Sequence, residues 1–229
     1  MNVLFDLDGT LTDPRIGFVR SIGSALARLG SPVPNDDALA KFIGPPLESS
    51  LRQLLGSNAD SLVVRAAEYY RERYSTEGFL ENYVYPGVED ALGEFHSTGV
   101  PLFVATSKPH PIAIRILDHF GLSKFFAGIY GSELDGTRSD KSELLRYLIA
   151  RECLDASHTV MVGDRMHDIR AARANDLRSV GVLWGYGSRD ELRDAGAHCL
   201  CESPGQITSI LLGSTQRADC LSQLGSALN

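Results

Sequence analysis

The sequence lacks most of what would tie it to a membrane, a nucleic acid or a zinc ion. No apolar run in its 229 residues approaches the roughly 18–20 residues that a bilayer-spanning helix needs. At the N-terminus the apolar stretch Val3-Leu4-Phe5 is broken at once by Asp6 and Asp8, so no secretory signal is read and a cytoplasmic location is expected. An excess of positive charge is missing too. The 22 Lys and Arg against 29 Asp and Glu leave a net charge of −7, which argues against nucleic-acid and anionic-membrane partners. A small anionic substrate remains compatible, because a local cation can reverse the field inside a pocket. Cysteine is scarce. Cys199 and Cys201 would point the same way in a strand, yet no second Cys or His pair stands at zinc spacing. Cys153, Cys199, Cys201 and Cys220 therefore read as free thiols.

What is present is the composition of a soluble globular protein: 43% hydrophobic and 22% charged residues. The length suits one α/β domain with a modest insertion, or two small domains. Residues 2–5 read as a short buried strand. Asp13-Pro14 then reads as a helix cap followed by proline in the first turn, with Phe18, Ile22, Leu26 and Leu29 at helical spacing and Gly30 as the stop. Further helices are expected over 35–42, 47–55 and 58–76, with Asn35 and Asn58 as caps. No strand is read between residues 11 and 79, so this block reads as an all-helical insertion.

After Pro86-Gly87 the pattern changes. Strands over 102–105, 128–130, 159–162 and 179–183 alternate with helices over 88–97, 112–120, 141–152, 168–174 and 189–194. Short apolar strands alternating with amphipathic helices predict an α/β fold with a parallel sheet covered on both faces. The tail over 213–229 holds few apolar residues beyond Leu221, Leu224 and Leu228 and is expected to fray.

In an open parallel sheet, ligands bind beyond the carboxyl ends of the strands. The first strand delivers Asp6 and Asp8, the second delivers Thr106, Ser107 and Lys108, and the fourth delivers Asp164 with Asp168 four residues on. Lys141 opens the helix after the third strand. Singly, each has a bland reading: a turn aspartate, a helix cap, a solvated lysine. Jointly, they bring several carboxylates, a hydroxyl and two cations to one sheet edge. Such carboxylates repel one another unless a hard cation lies among them, and an all-oxygen set of this charge suits Mg²⁺.

The run Phe5-Asp6-Leu7-Asp8-Gly9-Thr10-Leu11 resembles the signature of the haloacid dehalogenase-like superfamily. Thr106, Lys141 and Gly163-Asp164-Arg165-Met166-His167-Asp168 resemble its three later motifs, in order. The resemblance implies a Rossmann-like catalytic core from residues 1–13 and 82–212, with residues 14–81 as a small helical cap inserted after the first strand. It also implies a Mg²⁺-dependent phosphatase that forms an aspartyl-phosphate. In that scheme Asp6 is the nucleophile and Asp8 the acid and base. Thr106, Ser107, Lys108 and Lys141 bind the substrate phosphoryl group, with Thr106 and Lys141 also counted as catalytic. Asp6, Asp164 and the main-chain carbonyl of Asp8 ligate the metal, and Asp168 supports it from behind.

Asp8 separates this reading from a dehalogenase, whose halide leaving group needs no acid. A phosphonatase would use a cap lysine, and Lys41 is the sole lysine in 14–81. A sugar-phosphate mutase shares all four motifs, and a binding protein on a retired enzyme fold would have lost one of them. The turn Phe42-Ile43-Gly44-Pro45-Pro46-Leu47 is similar to the cap loop of phosphoglycolate phosphatases, and Lys41 and Arg52 are candidate contacts for an anionic substrate. Trp184 and Tyr186 follow a strand and are candidates either to stack a nucleobase or to pack under the mouth of the site. The run from Gly131 to Lys141 resembles bacterial 5′-nucleotidases. Nucleoside 5′-monophosphates are therefore the expected substrates, with 2-phosphoglycolate as the alternative.

Overall fold

A computed structural model describes residues 1–57 and 59–213. Asn58, Cys220 and the tail leucines lie outside the described residues. The chain opens with β1 (Asn2–Phe5) and β2 (Thr12–Asp13). Helices α1 (Arg15–Arg28), α2 (Asp36–Ala40), α3 (Leu47–Leu55) and α4 (Asp60–Arg73) follow, and β3 (Tyr83–Val84) leads back. Next come α5 (Val88–Ser97), β4 (Leu102–Pro109), α6 (His110–His119), β5 (Gly128–Ser132), α7 (Lys141–Arg151) and β6 (Thr159–Gly163). The described chain ends with α8 (Met166–Ala174), β7 (Arg178–Val182), α9 (Arg189–Asp194), β8 (Cys199–Cys201) and α10 (Pro204–Leu212).

Six strands form one all-parallel sheet in the order β5-β4-β1-β6-β7-β8. Its register explains the apolar pattern. Val3 lies opposite Leu102 and Val160, and Leu4 opposite Phe103 and Met161. Side chains alternate along a strand, so in-register rows share a face. Val3, Phe5, Leu102, Val104, Val160 and Val162 accordingly pack together with Phe95 of α5 and Leu211 of α10. Leu4, Phe103, Ala105 and Met161 pack on the opposite face with Leu145 and Leu148 of α7 and Ala171 of α8. Both faces are buried, which is why these strands read as near-continuous apolar runs.

The block between β2 and β3 is helical, with α1 and α3 packed on α4. Asn35 caps α2 by accepting from the Ala38 N–H at 2.9 Å. The expected long helix over 58–76 instead ends at Arg73 and passes into a π-helical turn, Tyr74–Gly78. At the other end, Asp13 accepts from the Arg15 N–H at 2.8 Å, and Pro14 takes the capping position.

Two further features depart from the sequence-based expectations. Thr12–Asp13 is a strand, paired antiparallel with Tyr83–Val84 where the chain leaves and re-enters the helical block. A two-residue ladder is fixed by the proximity of its partners and has no periodicity of its own. The expectation of free thiols holds for Cys153 and Cys201, whereas Cys199 is disulfide-bonded. Among the described residues, no helix is long and apolar enough to cross a membrane.

Candidate active site

The carboxyl ends of β1, β4 and β6 and the start of α7 meet at one edge of the sheet. Asp6 follows β1, and its N–H donates to the Val162 carbonyl at 2.9 Å, which fixes the first loop against β6. Gly9 in that loop has φ +84, and a Cβ there would fall 2.2 Å from Asp164 Oδ2. Only glycine lets the loop backbone lie this close to the carboxylate. Asp164 is fully buried and accepts from Thr10 Oγ1 at 3.4 Å and from the Tyr186 N–H at 2.8 Å.

Lys141 is the first residue of α7 and is 6% exposed. Its ammonium donates to the Ala105 carbonyl at 2.8 Å and lies 2.8 Å from Asp6 Oδ1 and 2.9 Å from Asp168 Oδ1. The other Asp168 oxygen accepts from the Arg165 N–H at 3.1 Å. Thr106 is buried, and its Oγ1 accepts from the Lys108 N–H at 3.2 Å. Helix α6 begins at His110, so Thr106 is not its cap.

Asp6, Asp164 and Asp168 can each turn an oxygen toward one point, with those oxygens within 4.8 Å of one another. The Lys141 ammonium pairs with Asp6 and Asp168, and the third carboxylate of the cluster, Asp164, makes no ion pair with it. Burial pushes the Asp164 carboxyl well above its ordinary range, and the charges of Asp168 and Asp6 push it further. Asp168 is pushed up to about 6, first by burial and against the pull of Lys141. Burial works against the Lys141 charge, but Asp168 and Asp6 outweigh it and raise that group. One lysine is too little charge for three buried acids. A hard divalent cation with oxygen ligands fits this donor set.

Asp8 is engaged elsewhere. Its Oδ2 pairs with Lys108 Nζ at 2.7 Å, while Oδ1 is buried without a hydrogen-bond partner. Burial raises the Asp8 carboxyl above its ordinary value, opposed by Lys108. The Lys108 ammonium also donates to Tyr74 Oη at 2.8 Å and stands 4.5 Å over that ring. The structure thus brings Lys108 to the site but occupies it with Asp8 and Tyr74. Ser107 lines the site, and its carbonyl accepts from Ser132 Oγ at 2.9 Å.

Asp6 and Asp8 open onto a cavity of about 600 Å³ between the sheet edge and the helical block. Of the turn 42–47, Ile43, Gly44, Pro45, Pro46 and Leu47 line it and Phe42 does not. Of the two readings for Trp184 and Tyr186, base stacking is not met, since neither lines the cavity, and packing against the core is. Trp184 Nε1 donates to the Thr10 carbonyl at 3.0 Å, and the Tyr186 hydroxyl donates to Asp13. Both rings brace the first loop and the crossing strands. Aromatic lining comes from Phe18, Tyr70 and Tyr74 instead. The Tyr70 and Tyr74 rings stack at 5.2 Å with 13° between planes, and Phe18 meets Tyr70 edge-on at 5.8 Å. Their spacing of four on one helix face was legible, but an aromatic pair at that spacing reads equally as core. Lys41 is exposed and Arg52 pairs with Asp60 at 2.6 Å; neither lines the cavity. The arginine of the helical block that does is Arg71, which is paired with Glu48.

Residues 3–182 match the pattern of the haloacid dehalogenase-like hydrolases. The chain is 48% identical over 84% of its length to a 5′-nucleotidase of Pseudomonas aeruginosa, covering 86% of that protein. It is 42% identical over 82% of its length to the tyrosine-protein kinase PtkA of Mycobacterium tuberculosis, of which it spans 64%. The crystal structure of a predicted phosphatase from Clostridium acetobutylicum superposes with a TM-score of 0.88 at 38% identity, over 92% of this chain and 97% of the other. With the motif residues gathered at one sheet edge, the chain belongs to the haloacid dehalogenase-like hydrolase family, and within it to the phosphoric monoester hydrolases.

Proposed function

We propose that the protein is a Mg²⁺-dependent phosphomonoesterase working through an aspartyl-phosphate on Asp6, with residues 14–81 as its cap and nucleoside 5′-monophosphates as substrates. The observation that carries the reading is that Asp6 joins two groups: it lines one cavity with Asp8 and Thr106, and it meets Lys141, Asp164 and Asp168 behind that wall. Asp6 attacks phosphorus, forming an Asp6–phosphorus bond as the bond to the leaving oxygen breaks. Asp8 gives that oxygen a proton, for which its raised carboxyl and unpartnered Oδ1 suit it. It then takes a proton from water, which attacks phosphorus and releases phosphate and free Asp6. Lys141 and Thr106, with the backbone N–H groups after Asp6 and Thr106, hold the phosphoryl oxygens. When bound, Mg²⁺ supplies the positive charge that lets one anion approach another; Asp6, Asp164 and the Asp8 carbonyl would hold it, with Asp168 in support.

The cavity wall supports the nucleotide reading. Glu48, Glu68, Glu72 and Glu133 line it, with Glu48 paired to Arg71, Glu72 to Arg28 and Glu133 to Arg138, while Lys108 is paired to Asp8. A second carboxylate on the substrate, as in 2-phosphoglycolate, would find Arg71 and Lys108 already engaged by acidic partners. A neutral, flat leaving group finds aromatic and proline surface from Phe18, Tyr70, Tyr74, Pro45 and Pro46. The test is steady-state kinetics with UMP, IMP and 2-phosphoglycolate at saturating Mg²⁺ and in excess EDTA. Nucleotides should show the higher kcat/KM, and chelation should remove all activity. A preference for phosphoglycolate that is lost in Arg71→Ala would reverse the substrate assignment, and full activity in EDTA would remove the metal from the scheme.

A further inference from the structure

The run Gly163-Asp164-Arg165-Met166-His167-Asp168 carries an arginine to which the phosphatase chemistry assigns no task. Arg165 has a side chain only 14% exposed. Its Nε donates to Glu191 Oε1 at 2.9 Å, and the same oxygen accepts from the Met166 N–H at 2.9 Å. Glu191 lies in α9, so the guanidinium is held in place by the sheet-bearing part of the chain alone. From there Nη1 donates to the Ile43 carbonyl at 2.5 Å, across 122 residues of sequence.

The receiving turn is shaped for this contact. Gly44 has φ +107, which side-chain-bearing residues rarely adopt, and a Cβ there would come 3.0 Å from Arg165 Nη1 and 3.1 Å from its Cγ. The arginine therefore packs against bare backbone, and two prolines follow at once to stiffen the turn. Ile43, Gly44, Pro45 and Pro46 all line the cavity above Asp6 and Asp8.

We propose that Arg165 is a positioning residue that clasps the cap turn 43–46 over the phosphoryl site, and so makes the leaving-group wall. The inference rests on the phosphatase reading of the same site. Arginine suits the task because two separate nitrogens of one rigid plane serve the two acceptors, Nε to Glu191 and Nη1 to Ile43, whereas a lysine offers a single nitrogen at the end of a flexible stem. Arg165 also sits next to Asp164, so the loop that carries a metal-site carboxylate is the loop that seats the cap turn.

The experiment compares wild type, Arg165→Ala and Arg165→Lys on UMP and on acetyl phosphate, a minimal donor with little to touch the turn. Trypsin cleavage after Lys41, beside the turn, is followed against cleavage after Lys124 on the sheet-bearing part; both lysines are exposed. In Arg165→Ala, kcat/KM for UMP should fall about 10–100-fold through KM, the size expected of one charge-assisted hydrogen bond. Acetyl phosphate hydrolysis should stay within about twofold, and cutting after Lys41 should quicken relative to Lys124. Arg165→Lys should behave like the alanine variant. An equal loss on both substrates would mean that Arg165 serves the metal loop and not the turn. No loss on either, or full function in Arg165→Lys, would equally overturn the clasp. Wild-type protein inert on both substrates would refute the phosphatase reading, and the trypsin ratio would then still decide whether the clasp exists.

Discussion

Replacing Lys141 by methionine removes one charge from the most crowded part of the molecule while keeping much of the side-chain volume. The ammonium lies 2.8 Å from Asp6 Oδ1 and 2.9 Å from Asp168 Oδ1, and donates to the Ala105 carbonyl at 2.8 Å. At an effective dielectric of about 20, each charge pair attracts by about 6 kcal/mol before desolvation is subtracted. The net loss on deleting one partner of a buried pair is about 3–5 kcal/mol, because the carboxylates left behind stay buried and uncompensated. For a chain of this size that corresponds to a fall in Tm of about 6–20 °C at neutral pH in EDTA. Mg²⁺ should recover part of the fall, since the ion's two charges meet the same carboxylates. Turnover should drop by about 10²-fold or more even at saturating Mg²⁺, because the phosphoryl oxygens lose a preorganised cation. Calorimetry with and without Mg²⁺, alongside kcat on UMP, tests both halves. A Tm in EDTA within about 2 °C of wild type would show that Lys141 does not hold the acidic cluster together.

Three further substitutions probe the site. Asp6→Asn should abolish turnover with the fold intact, since an amide cannot attack phosphorus; a kcat above about a tenth of wild type would remove Asp6 as nucleophile. Asp8→Asn should lower kcat by about 10²–10⁴-fold yet leave Mg²⁺ affinity near wild type, as only its carbonyl is assigned to the metal. Calorimetric Mg²⁺ titration of Asp8→Asn beside Asp164→Ala decides that point, and matching losses would refute the division. Gly9→Ala should weaken Mg²⁺ binding about tenfold or more, because the new Cβ lies where Asp164 Oδ2 stands and φ +84 is strained for alanine. Unchanged affinity by the same titration would show that the loop yields without moving Asp164.

The sequence by itself determined the elements whose evidence is local. Strand and helix periods alternate along the chain, with Asp6 and Asp164 just past strands, Thr106 in the last part of β4 and Lys141 at a helix start, so the parallel sheet and the gathering of these residues at one sheet edge followed from reading order and topology. The helical character of the block before Tyr83 was legible for the same reason. What only the tertiary structure decided are contacts between segments with no common period. The two-residue pairing of Thr12–Asp13 with Tyr83–Val84 exists because the chain crosses there twice. The directions of Trp184 and Tyr186 depend on the Thr10 carbonyl and Asp13 offering partners beneath the site, which turned two candidate base-stacking rings into braces. Phe18, Tyr70 and Tyr74 became cavity wall because α1, α4 and the π-helical turn each bring one of them to the same cavity, and nothing in their spacing separates wall from core. The Arg165 bond to the Ile43 carbonyl joins one side chain to one backbone oxygen across 122 residues, and a backbone acceptor leaves no mark in the residue types on either side.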